Sequence, residues 1–165
     1  MRPDTIVIHC SATRENKDFT IQDVDRSHKA RGFRRPIQNE ALKHIGYQYY
    51  VRRNGVVECG RHEDETGAHC LGYNDHSIGI CYEGGLDRNG KAADTRTPEQ
   101  KVAINNLIND ICSRWSIIAI IGHRDTSPDL NGNGKIDPHE RIKECPCYDV
   151  IPEYQSFLPN IIVKP

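Results

Sequence analysis

No run of apolar residues in this sequence comes near the ~20 that cross a bilayer, so no helical membrane span is expected. The opening stretch Met1-Arg2-Pro3-Asp4-Thr5-Ile6-Val7-Ile8-His9 holds three consecutive apolar residues before a histidine, too few for the core of a secretory leader. An excess of one charge is also missing. The 22 Lys and Arg and 23 Asp and Glu leave a net −1, so no global positive field exists to attract nucleic acid. There is no internal repeat and no linker of altered composition. A His-Glu-x-x-His helix is absent, which excludes the helical zinc-protease class. Mean hydropathy is −0.68, yet short apolar runs recur along the chain, so it is not read as disordered.

What is present suits one domain over residues 1–165. A chain of this mass should expose roughly 8,000 Å² when folded against about 27,000 Å² unfolded, enough burial for a core without staples. The seven cysteines are an odd count and, with no leader, read mostly as thiols. Cys10, Cys81 and Cys112 lie in apolar runs and read as small core residues. Eight histidines invite a search for metal ligands.

The element pattern alternates. Residues 5–10 form a short β-branched run, a buried strand with Ile6, Ile8 and Cys10 on one face and Val7 and His9 on the other. Thr20, with Asp23 three positions on, opens a helix that should stop at Gly32. Residues 34–45 read as a basic loop with room for a short helical turn. Residues 46–53 alternate, Asn54-Gly55 follows, then Val56-Val57-Glu58-Cys59, together a hairpin. Residues 61–75 are a polar loop and 77–82 another buried strand. Thr97-Pro98-Glu99-Gln100 is a capping box, and Ile104, Leu107, Ile108, Ile111 and Trp115 continue at helical spacing. Residues 117–121 form a strand ending at Gly122-His123, and residues 148–158 a last short helix containing Pro152. This order predicts an α/β fold, a central mixed sheet flanked by helices.

In such sheets, sites gather beyond the carboxyl ends of strands. His9 and His123 each stand at such an end and can converge across 114 positions. With one of Cys145 or Cys147 they would make a three-ligand zinc site with an open position. The competing reading is two strand-end histidines bonded to backbone, with the cysteines as spectators. His28 lies inside the first helix and reads as structural, while His44, His62, His76 and His139 follow no usable pattern.

Ile8-His9-Cys10-Ser11-Ala12-Thr13, Gly46-Tyr47-Gln48-Tyr49, Gly67-Ala68-His69, Gly72-Tyr73-Asn74, Ser77-Ile78-Gly79-Ile80, Gly122-His123-Arg124-Asp125 and Cys145-Pro146 occur in this order. With them the chain, over residues 4–158, resembles the zinc N-acetylmuramoyl-L-alanine amidases, which include amidase-type phage lysozymes and peptidoglycan recognition proteins. Each motif is weak alone, and their order and spacing are specific. The resemblance implies a zinc groove on one side of the mixed sheet. It also implies cleavage of the amide between the lactyl group of N-acetylmuramic acid and L-alanine. It places His9, His123 and Cys145 as zinc ligands, Cys147 as a non-ligand, Tyr47 and Lys143 as catalytic residues, and His69 and Asn74 as groove residues contacting the muropeptide. The chemistry suits these roles: zinc lowers the pKa of a bound water, a cation steadies the oxyanion, and a tyrosine orients water or shuttles a proton. Taken singly, Lys143 reads as a solvated lysine, Tyr47 as a sheet residue and Asn74 as a turn former.

One segment departs from that pattern. Between Ser127-Pro128 and Lys143 stand fourteen residues, 129–142, where the family has almost none. Residues 129–140 match a twelve-residue EF-hand calcium loop. Asp129, Asn131, Asn133, Asp137 and Glu140 would offer side-chain oxygens and Lys135 its carbonyl. Gly134 sits at the sharp turn, and Ile136 would point inward. EF-hand helices are missing on both sides, so the ion would brace the segment carrying Lys143 and Cys145. The expectation is therefore a monomeric, endolysin-like amidase using Zn²⁺ and Ca²⁺. It would be made in the cytoplasm and would reach the cell wall by another route. Its partner is peptidoglycan or a muropeptide, not nucleic acid or membrane. The alternatives are a non-catalytic peptidoglycan-binding module, which leaves Tyr47 and Lys143 idle, and a calcium-dependent interaction protein, which leaves His9, His123 and Cys145 idle.

Overall fold

The computed structural model describes residues 1–37 and 41–158. In chain order its elements are β1 (Thr5–Cys10), β2 (Thr13–Arg14), α1 (Ile21–Ala30), β3 (Tyr49–Val51), β4 (Val57–Cys59), β5 (Ser77–Tyr82), β6 (Gly85–Leu86), α2 (Pro98–Arg114), β7 (Ala119–Gly122) and α3 (Val150–Tyr154). Single 3₁₀ turns follow at His123–Thr126, Pro138–Glu140 and Gln155–Phe157. Five strands make one sheet in the order β4-β3-β5-β1-β7. β3, β5, β1 and β7 run parallel, and β4 returns antiparallel through the Asn54-Gly55 hairpin. The sheet is mixed, as the element pattern predicts.

β1 and β5 are buried at every residue because each is covered on both faces. That is why their sequences are continuous apolar runs rather than alternations. Below the sheet, Ile6, Ile8, Ile78, Ile80 and Tyr82 pack against Ile104, Leu107, Ile108 and Ile111 of α2. Above it, Tyr50 and Cys81 pack against Ile21, Val24 and Ile45. α1 covers only part of this upper face, and the uncovered remainder holds the site.

Capping sets both helix starts. Thr20 accepts from the Asp23 N–H and the Asp23 carboxylate accepts in return, while Thr97 and Gln100 do the same for α2. The Gln100 amide also donates to the carbonyls of Val51 (3.0 Å) and Glu83 (2.9 Å), which locks α2 onto the ends of β3 and β5. Arg96, stacked 3.2 Å over the Tyr148 ring and paired with Asp94 and Glu153, ties α3 to the same end. Pro152 fits in α3 because the first turn of a helix needs no intrahelical N–H donor.

Some elements differ from the expectation. The hairpin strand is confined to Tyr49–Val51, although the Gln48 N–H still donates to the Gly79 carbonyl and the Gln48 carbonyl accepts from Gly60. β7 starts at Ala119 rather than 117, and Trp115 caps α2 half-buried rather than entering the core. The β2–β6 pair was not foreseen, since two-residue strands leave no periodic signal. In the basic loop the described residues contain no helical turn, and residues 38–40 lie outside them.

His28 proves structural, as expected. Its Nδ1 accepts from the Gly46 N–H at 2.9 Å, which joins α1 to the segment leading into β3. Burial, with Arg31 adding to it, depresses its pKa to about 4. Unfolded His28 takes up a proton below pH ~6.5 and the folded one does not, so stability is lost as pH falls from 6.5 to 4. Denaturant titration of metal-free protein should show wild type losing about 2 kcal/mol more than His28→Gln between pH 7 and 4.5. Equal losses would remove His28 as a source of acid sensitivity.

Candidate metal centre

Register brings the two histidines together. His9 pairs across from Cys81, and Ile8 pairs across from Gly122, so His123 emerges level with His9 on the neighbouring strand. His9 shares the Cys81 and Tyr50 face, the one that α1 leaves partly open. The site therefore lies on the sheet's upper face near the carboxyl ends of β1 and β7. The His9 and His123 rings are 4.6 Å apart between centroids.

The third donor arrives from the far end of the chain. The Arg124 N–H donates to the Cys145 carbonyl at 2.7 Å, and the Tyr82 hydroxyl to the Pro146 carbonyl at 2.7 Å. These bonds hold the Cys145 segment over the end of β1. The Cys145 sulfur then sits 3.9 Å from His9 Nδ1 and accepts from the Cys10 N–H at 3.2 Å. One donor atom each from His9, His123 and Cys145 lies within 4.8 Å of the others.

This donor set fits zinc: two imidazoles, one thiol and, among the described residues, no fourth protein ligand. Both rings are held neutral, as a ligand must be. Burial and the neighbouring His69 and His123 push the His9 pKa well below its usual value. Burial, then the charges of Lys143 and Arg31, lower His123 to about 4.

Cys147 does not join the cluster. Its sulfur turns to the Gly85 carbonyl at 3.3 Å and lies 3.9 Å from the Cys10 sulfur. The hydrogen bond with the Cys10 thiol, then burial, raises its pKa, which keeps it protonated.

A cavity of about 200 Å³ opens on the donors, with Tyr47, Arg31 and Lys143 on its walls. The half-buried Tyr47 ring lies 5.1 Å from that of His9, and burial raises its pKa well above 10, so it keeps its proton. Lys143 is exposed at the rim. A larger cavity, near 790 Å³, lies across the sheet between the hairpin and α2, and it contains none of these groups.

His69 and Asn74 have prior engagements. His69 Nδ1 lies 3.1 Å from His9 Nε2, and its Nε2 is buried. Asn74 Oδ1 accepts from the N–H groups of His69 (2.8 Å) and Cys70 (2.9 Å). Asn74 thus shapes the loop, and His69 stands behind a metal donor as well as in the cavity wall. Sequence reasoning missed this pairing. The sequence shows only a pair of small residues, Gly67 and Gly79, whose role is visible once the ring is seen between them.

In the 129–140 loop, the Asp129 carboxylate accepts from Gly132 and Gly134, Asn131 from Asn133, and Asn133 from Lys135. Buried Glu140 accepts from the N–H groups of Leu130, Asn131 and Asp137. Asp137, His139 and Glu140 bring donor atoms within 4.8 Å of one another. Ile136 is half-buried.

Comparison with known proteins identifies the family and the fold. The profile of the N-acetylmuramoyl-L-alanine amidase family matches residues 1–140. The chain is 30% identical over 145 residues to an endolysin of Klebsiella phage KP32, covering 88% of this chain and 81% of that protein. Among solved structures, the N-acetylmuramoyl-L-alanine amidase LysC from Clostridium intestinale URNW superposes with a TM-score of 0.67 at 25% identity, covering 94% of this chain and 83% of that one. Drosophila PGRP-LB shares the fold, with a TM-score of 0.63 at 21% identity over 99% of this chain and 86% of that one. A match over residues 1–140, on a mixed sheet that gathers two histidines and a cysteine, makes this chain a member of the N-acetylmuramoyl-L-alanine amidase family.

Proposed function

We propose that this chain is an endolysin-like, zinc-dependent amidase that cuts peptidoglycan between N-acetylmuramic acid and L-alanine, working as a monomer on the cell wall. The observation that carries the reading is the convergence of His9, His123 and Cys145, from three distant segments, within 4.8 Å beside a cavity. Family membership supports the reaction class, and the phage endolysin relative supports the lytic setting. Among the described residues no helix is long and apolar enough to cross a membrane.

Zinc bound by these three donors supplies a water acidified for attack and polarises the scissile carbonyl. The chain's own groups do the rest. Tyr47, protonated and beside His9, orients the attacking water or hands a proton to the leaving amine. Lys143 sets a positive charge at the rim, where oxyanion charge develops on the substrate. His69 and Asn74 serve the muropeptide through the groove wall, His69 with its ring surface and Asn74 by holding the loop.

Loss of one of three protein donors empties a catalytic zinc site. Cys145→Ala should therefore lose both zinc and lysis of purified cell walls, while Cys147→Ala keeps both, read by metal analysis and turbidity. The reverse pattern would move the donor to Cys147. Tyr47→Phe and Lys143→Ala should instead keep zinc near wild type and lower turnover by ~10²-fold or more. Full activity in both variants would remove them from the chemistry.

We further propose that the 129–140 loop binds Ca²⁺ through Asp129, Asn131, Asn133, the Lys135 carbonyl, Asp137 and Glu140. The support is the pattern of residues and the folding of the loop around buried Glu140. The ion would replace the amide groups of Asn131 and Asn133 that now donate to Asp137. Calorimetric titration of Ca²⁺ into zinc-loaded protein should give saturable heat that Glu140→Gln weakens at least ~10-fold. No heat beyond that of the variant would remove the calcium site.

A further inference from the structure

We propose that His69 is a positioning residue for the metal centre: it accepts a hydrogen bond from His9 Nε2–H and so commits His9 Nδ1 to zinc. The inference rests on the zinc reading above and adds a residue that no ligand count contains.

The geometry leaves His9 one way to serve a metal. Its Nδ1 faces Cys145, 3.9 Å from the sulfur, and its Nε2 faces away, 3.1 Å from His69 Nδ1. A neutral imidazole carries one proton, so an Nδ1 that gives its lone pair to zinc puts the proton on Nε2. That proton points into a buried region where His69 Nδ1 is the acceptor in place. Without it, the N–H would be an unpaired buried donor, which is destabilising. A bonded one also stops the ring from rotating and makes Nδ1 a stronger donor.

The chain holds the His69 ring in this position from three sides. The rings of His9 and His69 meet edge to face, 5.1 Å between centroids. Gly79 of β5 lies beneath, and a Cβ there would come 2.7 Å from His69 Cγ and Cδ2. Gly67 flanks it, and a Cβ there would come 2.5 Å from Cδ2. Asn74 Oδ1 fixes the His69 backbone. His69 itself is not among the converging donors, so it acts through His9.

Two substitutions separate positioning from space filling. His69→Phe keeps a ring and removes the acceptor, while His69→Asn puts an amide oxygen near the place of Nδ1. Zinc dissociation constants, measured by competition with a chromogenic chelator, should rise ~10- to 100-fold in His69→Phe. His69→Asn should recover most of that loss. Equal affinity in wild type and His69→Phe would overturn the proposal, as would equal weakening in both variants. Wild-type protein that binds no zinc would instead overturn the zinc reading itself. Should His69→Phe fail to fold, ¹⁵N NMR of zinc-loaded wild type decides. A scalar coupling across the hydrogen bond between His9 Nε2 and His69 Nδ1 is expected, and a His9 proton found on Nδ1 would overturn the proposal.

Discussion

The pairing of β1 with its two neighbours is the constraint from which the rest follows. β1 lies between β5 and β7 in parallel register and carries His9 on a strand buried at every residue. A histidine in that place is buried and desolvated. It must be neutral, and each nitrogen needs a partner brought by the fold. One nitrogen faces Cys145 and the other faces His69. Ile8 opposite Gly122 sets His123 level with His9, so a register shift of one residue would turn one histidine to the wrong face and separate the pair.

The two faces of the sheet divide the labour. The lower face is filled by α2 and supplies most of the apolar burial. The upper face is only partly covered by α1, and the exposed part is where polar groups collect. Near its edge, buried Glu83 accepts from the Phe19 N–H, the Arg53 N–H and Arg52 Nε, which ties the approach to α1 to the ends of β3 and β5. Rigidity beneath and around the donors lets an incomplete upper layer hold a site with little freedom to rearrange.

The Cys145 segment is the least self-sufficient part of the site. No regular element carries it. It is placed by hydrogen bonds from the Arg124 N–H, the Tyr82 hydroxyl and the Cys10 N–H, and by Arg124 pairing with Asp149 beyond it. The long loop before it folds around its own side chains, with Glu140 as the buried centre. Both ends of this loop return to groups near the sheet: Ser127 Oγ accepts from the Ile142 N–H at 3.1 Å, and the Arg124 N–H bonds to Cys145.

Strand and helix identity was legible in the sequence because it depends on local pattern. The apolar runs of β1 and β5, the capping boxes at Thr20 and Thr97, and the Asn54-Gly55 turn are all written in adjacent residues. So were His9 and His123 as strand-end residues, and the order of motifs that marked Cys145, Tyr47 and Lys143. What the sequence left open was direction. It could not separate Cys145 from Cys147 by residue type, since both are thiols two positions apart and only the path of the backbone turns one to His9 and the other to Gly85. Nor could it show that Asn74 spends its oxygen on the loop, or that His69 stands behind His9 over a patch left bare by Gly67 and Gly79. Those are contacts between segments tens of residues apart, set by sheet register and by the space a missing side chain leaves. Tertiary structure alone decides them, because hydrogen bonds and van der Waals contact act over a few ångströms while the residues they join are remote in the chain.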